Sequence, residues 1–187
     1  MSDLAVERIV QRVHEYFTDP PSEDYSTYDF GREIARTLPA IYHQDVVRRC
    51  YEALSGVLAE SFLEGFLELT ALPELGNLLL DRIATTADIG AAAGIVRLAQ
   101  EFGGLTAQQT ADGIIERFLV ATDSSQQDRL AYALRCVLCC ETFHVATGQT
   151  TRNSLVLARQ RILQIISNNL SLSQYARSTL EECLSKT

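Results

Sequence analysis

The sequence predicts an all-α protein of seven to nine helices packed as antiparallel hairpins, and three observations carry that prediction. Gly and Pro are sparse, 10 and 4 among 187 residues, whereas an all-β domain needs frequent turn residues. Leu, Ala, Glu, Gln and Arg fill long stretches, and these side chains lose little freedom in a helix. Apolar residues recur at three- and four-residue spacing between short connectors, which make successive helices antiparallel neighbours. With 47% of residues from the set AVILMFWYC and 21% charged, the composition is globular rather than disordered. The length predicts one domain over 1–187: an N-terminal helix within 1–18, an acidic-aromatic loop over 19–31 and a helical-hairpin core over 32–187.

Residues 3–18 place Leu4, Val6, Ile9, Val10, Val13 and Phe17 at helical spacing. Pro20 and Pro21 end that helix, since neither has an N–H to continue it. The stretch PSEDYSTYDFG, residues 21–31, is acidic, aromatic and rich in turn formers, and is expected as a loop. A short helix over 31–38 stops near Pro39, and one long helix is expected over about 43–69, with Val46, Cys50, Phe62 and Phe66 on its apolar stripe. Glu60, Glu64 and Glu68 form an acidic stripe there. Without Glu-x-x-His on facing helices it reads as a solvated face, not a metal site. Further helices are expected over 73–85, 88–102, 106–121, 124–147, 151–167 and 171–185. Asp88, Thr106, Ser124 or Ser125, and Ser171 are their N-cap candidates. Gly103-Gly104, Gly148 and Asn168-Asn169 are the C-terminal stops.

Three segments begin alike: LTALPELGNLLLDRIATT at 69–86, LTAQQTADGIIERFLVAT at 105–122 and LSLSQYARSTLEECLSKT at 170–187. Each is a packing Leu, a Ser or Thr that can cap, and a helix with one apolar face. Their spacing lies in the range of helical-hairpin repeats. The expected architecture is therefore either a short HEAT-like solenoid or a compact helical bundle, since capping rules alone also make helix starts alike. No tetratricopeptide or ankyrin pattern is present.

The stretch RCVLCCETFH, residues 135–144, concentrates the candidate chemistry. On a helix over 124–147, Cys136, Cys140 and His144 fall at i, i+4 and i+8 on one side. A tetrahedral zinc site would need a fourth ligand from elsewhere, with Cys183, Cys50 or His43 as candidates. The competing reading is that these cysteines pack as small hydrophobes, because the helix is apolar almost all round and so belongs in the centre of the domain. Asp128, Arg135 and Thr142 are expected at its outward edge. Nucleophilic catalysis is disfavoured, since no helix N-terminus or Gly-rich turn presents a thiol.

No phosphate-binding loop, dinucleotide fingerprint, HExxH, GxSxG or EF-hand loop occurs, so no cofactor is expected. A net charge of −8 disfavours nucleic acid and anionic membrane as partners. Asp3 and Glu7 stand where a signal peptide would be cationic and then apolar, so a cytoplasmic setting with reduced thiols is expected. The expected function is a non-enzymatic adaptor or scaffold for a protein partner. It would engage that partner through Tyr25, Tyr28 and Phe30 of the 21–31 loop and through Arg152 and Arg159 of the 151–167 helix. The alternatives are a metal- or thiol-based sensor or enzyme centred on Cys136, Cys140 and His144, and a ligand-binding helical regulator.

Overall fold

The structure is a computed structural model that describes residues 3–19, 26–53, 57–70, 72, 75–86, 88–139, 155–168 and 171–185. Among these, every regular element is helical, so the all-α prediction holds. The helices are α1 (Asp3–Thr18), α2 (Thr27–Thr37), α3 (His43–Ala53), α4 (Val57–Glu68), α5 (Gly76–Ile83), α6 (Ile89–Glu101), α7 (Ala107–Val120), α8 (Ser124–Cys139), α9 (Val156–Asn168) and α10 (Gln174–Ser185), with a short 3-10 turn at Ala40–Tyr42. They fall into two compact units, Met1–Leu72 and Pro73–Thr187. None of the described helices is long and apolar enough to cross a membrane.

Ten α-helices among the described residues replace the seven to nine expected. The stretch 43–69 supplies two of them, each with its own neighbour: α3 packs on α1 and α4 on α2. The expected loop over 21–31 is also corrected at its end, because residues 27–31 open α2. Ser26 caps that helix, its Oγ accepting the Asp29 N–H at 3.1 Å while its hydroxyl donates to the Asp29 carboxylate at 2.6 Å. Tertiary burial supplies the rest, since Phe30, Gly31, Ile34 and Ala35 form the face that packs inward.

The first unit is built on aromatic rings. Phe30 stacks on Tyr16 at 4.1 Å, and Phe62 stands between Phe17 and Phe66 at 6.1 Å from each. His43 packs edge-on to Phe66. Its Nε2 lies 2.7 Å from the Leu38 carbonyl oxygen, which only accepts, so Nε2 carries the proton. Helices α2 and α4 meet backbone to backbone. A Cβ on Gly31 would strike the Phe62 carbonyl oxygen, and one on Gly65 would strike the Tyr28 carbonyl oxygen. Around this contact, Glu68 accepts the Tyr28 hydroxyl and pairs with Arg32.

In the second unit α5 packs on α6 and α7, α7 on α8 and α9, and α8 on α5, α6 and α10. Asp88 and Thr106 cap α6 and α7 as expected, Thr106 with a reciprocal bond from Gln109. The other two caps are corrected. Asp123 accepts the Gln126 N–H ahead of α8, and Ser173, not Ser171, accepts the Ala176 N–H ahead of α10. Ser173 also donates to Asp128, so the position that touches a neighbouring helix is the one used. Gly104 carries φ 70° after α6, the left-handed conformation expected of that stop.

Arginines fasten this unit by donating to backbone carbonyls of neighbouring helices. Arg117 of α7 reaches the Asn77 carbonyl at 3.0 Å, and Arg129 of α8 reaches the Ala84 carbonyl at 2.9 Å. Arg159 of α9 spans the carbonyls of Leu138 and Cys183.

Candidate functional site

Two places in the second unit gather polar or reactive groups beside apolar surface. The first lies where α8, α9 and α10 meet. Cys136 is buried on α8, Cys139 is half-buried at its end, and Cys183 of α10 is fully buried. The neighbouring Cys139 and burial together push the Cys183 thiol far above its ordinary value. The guanidinium of Arg159 lies against the carbonyls of both helix ends. One turn earlier Arg135 pairs with Glu182 at 2.9 Å, and towards the other end Ser173 donates to Asp128. Asp128 and Arg135 therefore do not mark an outward edge of α8. They face α10, because a helix packed on several neighbours has polar positions that must find partners within the fold.

The second place is a groove of about 350 Å³ between α7 and α9, lined by Ile115, Leu119, Arg161, Gln164, Ile165 and Asn168. At its edge Leu119 is 60% exposed, and Leu157, one turn before Arg161 on the same side of α9, is 65% exposed. Arg161 donates to Asp112 at 2.8 Å, which holds its aliphatic stem along the apolar wall.

Cys140, His144, Tyr25 and Arg152 lie outside the described residues, as do Glu141 and Thr142. Cys136 is buried with Val137 and Leu138 beside it in sequence. Cys50 and His43 belong to the core of the first unit. Burial raises the Cys50 thiol to about 12. Phe30 is core, stacked on Tyr16, and Tyr28 is held by Glu68. That hydrogen bond, first among several influences, raises the Tyr28 phenol. Arg159 is committed to two carbonyls. Among the described residues, no three His, Cys, Asp or Glu side chains gather as a metal ion would require.

Sequence reasoning missed the pairing of Cys139 with Cys183 and the groove. The first depends on which helix lies against α8, and the separation of 44 residues gives no hint of it. The second had a signal: Leu119, Val120, Val156 and Leu157 are more apolar residues than a single buried stripe on α7 and α9 can use. No protein-family model, curated protein or solved structure matches the chain.

Proposed function

We propose that the protein is a non-enzymatic, cytoplasmic helical adaptor that holds one helix of a protein partner in the groove between α7 and α9. The observation that carries this reading is the exposed Leu119 beside a concave floor of Ile115 and Ile165. Contiguous apolar surface kept in water on a folded domain marks a contact site. An amphipathic helix laid in such a groove uses side chains at i, i+3, i+4 and i+7 as anchors. Gln164 and Asn168 at the rim offer amide donors and acceptors to its polar side.

The reading rests on a second one, that the six helices of this unit form three hairpins, α5–α6, α7–α8 and α9–α10, laid side by side as a short HEAT-like solenoid. What supports it is that alternate helices contact one another, and that the two contacts between α8 and α10 keep nearly one offset, 45 and 47 residues. Asp81 pairs with Arg117, and Asp112 with Arg161, linking first helices to first helices. Asp128 bonds Ser173, and Arg135 pairs with Glu182, linking second helices to second helices. Alternate helices in contact and running the same way are what stacked hairpins produce. In such stacks the furrows between successive repeats are the usual binding surface.

The test is a photo-crosslinking amino acid placed at Leu157 in the native cell. The expected result is a discrete protein adduct that disappears when Leu119→Asp is added. Substitution at Leu4, exposed on α1, leaves it in place. No adduct above background, or one indifferent to Leu119→Asp, overturns the reading.

A further inference from the structure

We propose that Cys139 and Cys183 form a two-thiol site for peroxide, closing to a disulfide that ties the end of α8 to α10. Arg159 donates to the carbonyls of both Leu138 and Cys183, which sets the ends of α8 and α10 side by side, and two other contacts hold the pair in register: Ser173 to Asp128 and Arg135 to Glu182. Rigid elements pinned in this way bring the sulfurs together without loop closure at the time of reaction. Burial differs between the partners. Cys139 is half-buried at the last described turn of α8, where a small oxidant reaches it, and Cys183 is fully buried. That difference in exposure makes Cys139 the attacking partner and Cys183 the resolving one. The guanidinium of Arg159 beside them favours negative charge on sulfur.

The chemistry balances with hydrogen peroxide as the oxidant. Cys139 Sγ attacks one peroxide oxygen, the O–O bond breaks, and the departing hydroxide takes the thiol proton as water, leaving a sulfenic acid. Cys183 Sγ then attacks the sulfenic sulfur. The S–S bond forms, the S–O bond breaks, and the hydroxyl leaves with the Cys183 proton as a second water. Two electrons pass from the sulfur pair to peroxide, and a small dithiol reverses the step.

The experiment uses the full chain, treated with a small excess of hydrogen peroxide, denatured, alkylated and mapped by peptide mass spectrometry. The expected result is a Cys139–Cys183 linked peptide, loss of two of the five thiols, and a Tm higher by roughly 5–10 °C that dithiothreitol restores. Cys139→Ser and Cys183→Ser should each abolish the linked peptide, and Cys140→Ser should retain it. If Cys183→Ser loses its helical circular dichroism, Cys139→Ala, altering the less buried partner, carries the test. A disulfide through Cys140, or a dimedone adduct on Cys139 with Cys183 still alkylated, overturns the proposal.

Discussion

At Gly31 a methyl group has nowhere to go, because the carbonyl of Phe62 occupies its place, and Gly65 stands in the same relation to Tyr28. Backbone atoms yield less than side-chain ends, so Gly31→Ala and Gly65→Ala should each destabilise the protein by about 3 kcal/mol in urea unfolding. Gly94→Ala is the control: with nothing within 4 Å of its added Cβ, it should stabilise by about 0.5–1 kcal/mol. Cys50 gives a prediction in pH. Burial pushes its folded value up to about 12, above that of a thiol in water, so the folded state favours the protonated thiol. That contribution is complete below about pH 9 and is lost as pH rises towards 12, at up to about 1.4 kcal/mol per unit. Denaturation midpoints between pH 8 and 11 should show this fall in the wild type, and it should be shallower in Cys50→Ala, where Cys183 and Tyr28 remain. The burial of Cys50 was legible from its place on an apolar stripe. The collision at Gly31 was not, because a close approach depends on which backbone lies opposite.

Caps show where local information suffices for an element. Asp88 and Thr106 each stand alone before an apolar run, and the sequence identifies both. Around α8 and α10 it offers several candidates in a row, Asp123-Ser124-Ser125 and Ser171-Leu172-Ser173, and only tertiary contact decides among them. Thr106→Ala should cost about 1 kcal/mol, read as a lower urea midpoint with unchanged m-value. Arg117 acts between elements, donating to Asp81, Asn77 and Gly113 from one guanidinium that is 20% exposed. Arg117→Ala should cost about 1–3 kcal/mol, because carbonyls left without a donor add to the lost ion pair. Arg117→Lys should recover less than half, since an ammonium lacks the planar fork. The element that sequence reading placed best is α1, expected over 3–18 and found as Asp3–Thr18. It placed the 43–69 stretch least well, because apolar periodicity runs through α3 and α4 alike.

The second unit carries a core of its own, including Leu80, Ile95, Ile114, Leu130, Leu134 and Ile162. Residues 73–187 expressed alone should therefore give a helical spectrum and a single cooperative melt. Absence of a transition would mean that the core is not self-sufficient. The hairpin repeat proposed for this unit is only partly legible in the sequence. The likeness of 69–86 to 105–122 joins α5 and α7, both first helices of the proposed hairpins, while the likeness of 105–122 to 170–187 joins α7 to α10, a second helix. Capping rules make all helix starts alike, so the second match reflects grammar rather than architecture. The arginine-to-carbonyl fasteners have a further consequence for this unit in concentrated salt. Dissolved ions screen the pairs of Arg161 with Asp112 and of Arg135 with Glu182. The bonds from Arg129 to Ala84, and from Arg159 to Leu138 and Cys183, have no second charge to be screened. Brine should loosen the carboxylate pairs while these clasps between helices stay shut.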